Sequence, residues 1–314
     1  MNGCRSSVLV AGVLALAGSA GPAQAQLART WVSSLGNDAN DCNRLTPCRT
    51  FQRAHDNTYG GGEMVVLDPA GYGAVTITKS ISIINDGVGE AGVLVSGDGT
   101  GITINAGTSD RVSLRGLTVK GIAFGDSNGI RFNSGASLSI ENCAIRNNTG
   151  DGIQMLGNLP QGTKTTLTLS NTFVADNGGN GIYIQPTGTG RLSVFLKHVE
   201  IYSNAAHGFA MALLADVPGV ILAMAVESVS ANNGLAGFVT SNAGVNNNLA
   251  DLRIIRSVAV RNGSYGAQGD GPSARIFHSE NLMLQNGIAD WTGVAFTYGD
   301  NVVGIGVAQH TDKQ

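Results

Sequence analysis

Charge is scarce in this chain. Asp, Glu, Lys and Arg make up 13% of its 314 residues and the formal balance is −3, whereas about a quarter of an ordinary soluble protein is charged. Such a surface has no field with which to draw in nucleic acid or an anionic membrane, so neither partner is expected. Cysteine is scarce too, with four in all. No second Cys or paired His stands at ligand spacing, and no zinc site is expected. Long apolar runs are missing. Val8 to Ala17 is too short to span a bilayer, and Phe209 to Val226 is broken by Asp216-Val217-Pro218-Gly219, so no transmembrane segment is expected. Helical periodicity is missing as well, because apolar residues recur at alternate positions, which excludes a helical bundle.

Glycine, by contrast, is abundant at 45 residues, and it is periodic. Asn followed four positions later by Gly occurs as Asn148/Gly152, Asn177/Gly181, Asn204/Gly208, Asn233/Gly237 and Asn262/Gly266, with the glycines 29, 27, 29 and 29 residues apart. Extending the register adds Gly73, Gly101 and Gly129 upstream and Gly293 downstream. A fixed period in the twenties signals stacked supersecondary units. Each Gly is followed by an alternating strand, such as Ile130-Arg131-Phe132 or Ile182-Tyr183-Ile184. A second strand follows, such as Leu138-Ser139-Ile140 or Leu167-Thr168-Leu169, and then a third around Ile145, Val174 or Ile201. Three short strands per turn make an all-β parallel β-helix of about eight to nine coils. The Asn column has a structural account: Asn tolerates left-handed corners, and amides stacked about 4.8 Å apart can bond from coil to coil. Length varies only in the turn that leaves the first strand, and loops lengthened on one side of a solenoid border its working face.

The ends differ from the middle. Residues 1–25 carry Arg5, the apolar run and Ala23-Gln24-Ala25, the pattern of a signal peptide cleaved after Ala25, which implies a secreted or periplasmic chain. In that compartment Cys42 and Cys48, with five residues between them including Pro47, read as a small disulfide loop, and Cys143 reads as a buried core thiol. Residues 26–72 read as a cap with a short helix around Thr50 to His55, in which His55 is expected on the surface; a helix over a solenoid end hides its open strand edge. Residues 73–290 hold the coils and 291–314 a closing segment with an edge strand from Val302 to Val307.

Thr30-Trp31-Val32, the Cys42/Cys48 loop, Pro47-Cys48-Arg49-Thr50-Phe51, Leu67-Asp68-Pro69-Ala70-Gly71-Tyr72-Gly73 and the Asn-x-x-x-Gly-Ile coils together resemble the right-handed parallel β-helix, pectin-lyase-like superfamily, and within it small secreted bacterial repeat proteins of unassigned activity. The resemblance spans nearly the whole mature chain. It implies a right-handed helix and polysaccharide as the partner, through a lyase, a hydrolase or a non-catalytic binder or adhesin. The catalytic signatures of galacturonan hydrolases, alginate-type epimerases and pectate lyases are absent: there is no Asp-Asp pair, Asp68-Pro69 is followed by Ala70, and Ala206-His207-Gly208 and Arg253-Ile254-Ile255 only come near.

The residues themselves suggest a site. Those two after each ladder Gly point outward, among them Arg131, Gln154 and Tyr183; those just before it form a second column, Asn128, Asp151, Asn180 and His207. Asn133 and Gln185 extend the face, and the long turn from Gly157 to Thr165 is placed to wall it. Amides, an Arg, a Tyr ring and a carboxylate suit a hydroxyl-rich chain. The candidate catalytic groups are Asp151, Arg131, Tyr183 and His207. Asp126 enters as a second carboxylate, since a glycosidase needs two about 5 to 9.5 Å apart. A lyase needs a base and a cation, for which Tyr183 or His207 with Arg131 are available. No cofactor is expected. Calcium at Asp151 would want six to eight oxygens, and few are at hand. The apolar stretch 209–226 leaves its outward positions, Ala210 and Ala212, without polar groups, which suggests a cover by a loop or by self-association. Arg253, Arg256 and Arg261 fall on outward positions further on.

Overall fold

The computed structural model describes residues 26–304, apart from Asp98, Ala123, Asp126, 215–218 and 245–247. The segment 1–25, Asp126 and the end of the closing segment therefore lie outside the described residues. Alternating strands wind into a parallel β-solenoid of about nine turns. One wall is a nine-stranded sheet made of the strand after each ladder Gly. The other two strands of every coil join a single bent sheet of nineteen strands among the described residues. In two coils those strands run on without a break, as Lys164–Ala175 and Arg191–Tyr202.

Register keeps like residues stacked. Ile102, Ile130, Ile153, Ile182, Phe209, Phe238, Ala267 and Trp291 lie one above another inside the tube, all buried. Each coil's apolar row meets its copies above and below, so no coil buries its core alone. The register also corrects both ends of the Gly column. Val75 pairs with Ile102, so Ala74, not Gly73, occupies the first ladder position. Ala267 pairs with Trp291, so Asp290, not Gly293, occupies the last.

The Asn ladder is present. Asn148, Asn177, Asn204, Asn233 and Asn262 each donate an amide hydrogen bond to the Oδ1 of the next Asn in the column, which ends at Asn286, at 2.9–3.0 Å. The left-handed residue at that corner, however, is the one before each Asn: Asn147, Asp176, Ser203, Asn232, Arg261 and Gln285. The Asn itself is free to point inward and bond. A second corner, with left-handed Asn142, Asn171, His198, Glu227, Arg256 and Glu280, carries another ladder in which Ser228, Ser257, Asn281 and Asn301 accept backbone N–H groups from the preceding coil. Cys143 stands in this column, buried, its thiol pushed up to about 11 by burial.

Residues 26–72 are tied into the solenoid. Leu27–Val32 pairs with Thr58–Val66, which pairs with Ile81–Ile84. The helix Phe51–Asn57 is capped by the Thr50 hydroxyl and packs Phe51 on Tyr72, with ring centroids 5.1 Å apart. Cys42 and Cys48 are joined in a disulfide. His55 is buried, not on the surface; its Nε2 accepts the Thr78 N–H at 3.2 Å, which draws the ring into the seam between helix and first coil. At the far end Ala289–Thr292, Ala295–Thr297 and Val302–Val303 pair with the preceding coil.

Burial holds the pKa of His55, His207 and His278 below the ordinary imidazole value. The unfolded chain takes up these protons near pH 6.5 while the folded chain resists them. Below that pH the unfolded state therefore binds more protons, and stability falls until the folded values are passed. The thermal midpoint is expected to drop between pH 7.5 and pH 5. His278→Leu, at a fully buried ring packed 5.7 Å from Trp291, is expected to flatten that drop; an unchanged pH profile would contradict the burial argument.

Candidate functional site

The outer face of the nine-stranded sheet carries three columns of side chains. The residues just before the ladder glycines prove to be a hydrogen-bond ladder. Asn128 Oδ1 accepts the Asp151 N–H at 2.9 Å, Asp151 Oδ1 accepts the Asn180 N–H and amide at 2.7 and 3.0 Å, Asn180 Oδ1 accepts the His207 N–H at 3.1 Å, and His207 Nδ1 accepts the Ala236 N–H at 3.1 Å. Gln154 donates to the other Asp151 oxygen at 2.9 Å. Asp151 is 8% exposed, and a calcium ion there would compete with three N–H donors already in place.

This ladder constrains the chemistry of its members. With Nδ1 accepting a backbone N–H, neutral His207 carries its proton on Nε2, which makes that nitrogen a donor, not a base. Tyr183 is no better placed. Burial, and then the Asp151 charge, raise its phenol above the ordinary value, which opposes the phenolate a base would need. Among the described carboxylates of this face, Asp151 precedes the strand Ile153–Met155 and Asp270 ends a strand four further along the sheet, so they are about 19 Å or more apart at the strand spacing. That is too far for a glycosidase pair.

The remaining candidates divide. Arg131 and Gln154 are register partners, and Arg131 Nε and Gln154 Oε1 are shut off from solvent without a hydrogen-bond partner. Asn133 bonds Asn105 at 2.8 Å. Gln185 stands beside the Tyr183 hydroxyl. The turn after Gly157 stacks on the next coil's turn, with Asn158 bridged to Thr187.

One feature of the face went unread in the sequence. Ala210, Ala236 and Val239 form a small buried apolar floor on the outside of the sheet, and Tyr183 and Tyr265 pack against it. Two of the apolar outward positions in and after the 209–226 stretch are thus covered by the chain's own tyrosines. The signal was there: Tyr265 continues the same column as His207, and the alanines at 210 and 236 are too small to fill their places.

The match to known proteins follows the fold. Residues 70–276 match the right handed beta helix region family. The chain belongs to this family. Among solved structures the fold is similar to the crystal structure of pectate lyase Pel9A, with 17% identity over 90% of this chain and 79% of that one, and a TM-score of 0.63. A rhamnogalacturonan lyase (13% identity, 88% and 86% covered, TM-score 0.47) and the Azotobacter vinelandii mannuronan C-5 epimerase AlgE4 A-module (16%, 76% and 72%, 0.46) are more distant. No curated protein matches. At these identities the likeness is one of fold, and with the family match it makes the solenoid right-handed. Among the described residues no helix is long and apolar enough to cross a membrane.

Proposed function

We propose that this β-helix is an exported protein that binds polysaccharide along the outer face of its nine-stranded sheet, holding the chain without cutting it. The observation that carries the reading is the pair of tyrosines on one apolar floor, flanked upstream by the amides of Asn128, Asn133, Gln154, Asn180 and Gln185. A sugar ring has an apolar face and a rim of hydroxyls; Tyr rings take the first and amides the second. Tyr183 and Tyr265 stand three coils apart, about 14 Å, room for a short run of rings between them. The Cys42–Cys48 disulfide suits an oxidising, extracytoplasmic compartment, and polysaccharide lyases on the same scaffold make the substrate class a natural one.

Binding without turnover follows from the state of the candidate groups. His207 and Asp151 are committed to the ladder and Tyr183 is held protonated. A lyase is the second reading, favoured by Arg131, whose guanidinium makes no ion pair among the described residues and could neutralise a uronate. The test is passage over immobilised acidic and neutral polysaccharides, with and without calcium, following unsaturated uronide absorbance and new reducing ends together. Retention on at least one polymer is expected, with no product, and Tyr183→Ala and Tyr265→Ala are each expected to weaken it about tenfold or more. Unsaturated product abolished by Arg131→Ala would replace the binder with a lyase. Neither retention nor product would end both.

A further inference from the structure

The N-terminal end of the solenoid presents two bare leucines. Leu35 and Leu45 are each 92% exposed, more than any other large apolar side chain among the described residues. Both stand on the loop that joins the strand Leu27–Val32 to the helix Phe51–Asn57. That loop is held fast. The Cys42–Cys48 disulfide closes it, Asn43 Oδ1 accepts the Leu45 and Thr46 N–H groups at 2.8 and 3.0 Å, and the Ser33 hydroxyl accepts the Leu35 N–H at 3.1 Å. Asp38 Oδ1 fixes the return of the chain, accepting the Arg49 and Thr50 N–H groups at 2.8 and 2.9 Å. Single exposed apolar residues are ordinary. Two on one braced loop are already ordered for docking, so little freedom is lost when they are covered.

Beside the loop opens a groove of about 430 Å³, walled by Pro69, Glu90, Leu94 and Lys120. Its floor is Gly71 and Gly92, which are register partners in neighbouring coils. The backbone requires neither glycine. Both lie outside the left-handed region, a Cβ on Gly71 would meet nothing within 4 Å, and one on Gly92 nothing nearer than 3.4 Å. Their bareness leaves a slot. Loop and slot are neighbours on one molecule, since the Arg49 guanidinium donates to the Gly71 carbonyl at 2.7 Å and the Ser34 N–H to Asp68 at 2.7 Å. Neither leucine lines the groove, so the loop does not fill its own slot. The charges at the two features are complementary: Asp41 and Arg44 stand beside Leu45, and Glu90 and Lys120 rim the groove. None of the four is in an ion pair among the described residues.

We propose that two copies of this chain pair at this end, each seating Leu35 and Leu45 in the other's groove, with Arg44 against Glu90 and Asp41 against Lys120. A two-fold pairing covers both loops and both grooves and closes, whereas a head-to-tail contact would leave one of each open at its ends. The sparse charge of the chain sets little repulsion against a second copy. The pairing uses none of the residues of the nine-stranded face, so it stands whether or not that face binds polysaccharide.

Sedimentation equilibrium of the whole protein over a wide concentration series tests the pairing, and a monomer–dimer equilibrium is expected. Each leucine enters a two-fold interface twice, so a loss of about tenfold per contact makes Leu45→Ala weaken dimerisation about a hundredfold, and Leu35→Ala likewise. Gly71→Val, which fills the groove from an unstrained position, is expected to abolish the dimer and leave the thermal midpoint unchanged. Arg44→Glu and Glu90→Arg are each expected to weaken it, and the two together to restore it. A monomer at every concentration, or a dimer indifferent to Leu45→Ala and Gly71→Val, would overturn the pairing. So would a double charge swap no better than either single one, or a dimer lost instead through Met224→Ser in the 209–226 stretch. A monomer that binds phospholipid vesicles, and ceases to in Leu45→Ala, would assign the loop to a lipid surface in place of a second copy.

Discussion

Asn204→Ala is expected to cost the fold about 2 to 6 kcal/mol, while Asn148→Ala, the same chemical change at the same corner, is expected to cost much less. Asn204 is 1% exposed and sits mid-ladder. Its Oδ1 accepts the Asn177 N–H and amide at 3.2 and 2.9 Å, and its own amide donates to Asn233 Oδ1 and to the Val174 and Tyr202 carbonyls. Removing it strands two buried donors of Asn177, each costing about 1–3 kcal/mol. Asn148 heads the ladder. The register places Ile122 above it where an Asn would continue the row, and its Oδ1 is buried with no donor. Alanine there orphans no N–H group. Paired urea midpoints check the difference; equal losses at 148 and 204 would show that the amides act as fillers and not as a chain. With typical domains stable by about 5–15 kcal/mol, the mid-ladder change approaches global unfolding.

The same residues show what the sequence made legible. Periodicity exposed the coils because each repeats one steric problem, and the solution is a fixed pair of residue types. The ends were misplaced by one and three residues because that problem relaxes there. Ala74 can stand in the first coil, where it is exposed, and Asp290 in the last, where its carboxylate accepts the Asn286 amide at 2.8 Å and the Gly304 N–H at 2.6 Å, bringing the ladder to a close. The outward columns were legible but their hydrogen bonding was not. Alternation says that Asp151 and His207 point outward; it cannot say that the next coil's N–H groups are already bonded to them. Nor could it show the Tyr183–Tyr265 floor or the Phe277–Phe296 stack, since the first gathers residues from several coils and the second depends on the register of two neighbouring strands.

Gly181→Ala is expected to destabilise the protein by about 3 kcal/mol or more, although no positive φ is involved. The ladder glycines from Gly101 to Gly266 keep ordinary backbone angles; what they lack is room. A Cβ on Gly181 would lie 2.5 Å from Ile201 Cγ2, 2.7 Å from the Gly208 carbonyl oxygen and 2.8 Å from Asn204 Nδ2. The carbonyl cannot step aside, because it accepts the Ile182 N–H at 2.9 Å in the ladder that joins the coils. The ladder Asn also cannot move, being locked to Asn177 and Asn233. Gly129, Gly152, Gly208 and Gly237 meet the same two atoms, the next Gly carbonyl and a ladder Asn amide. This couples the two columns of the motif: the Asn of one coil packs against the Gly of the coil before it, so each type requires the other. Gly60→Ala, with nothing within 4 Å of its Cβ, is the matched control and is expected to leave the midpoint within about 0.5 kcal/mol of the parent. If Gly181→Ala were equally silent, the Asn-x-x-x-Gly repeat would be two independent columns, and the close approach of neighbouring coils would not be what holds their register.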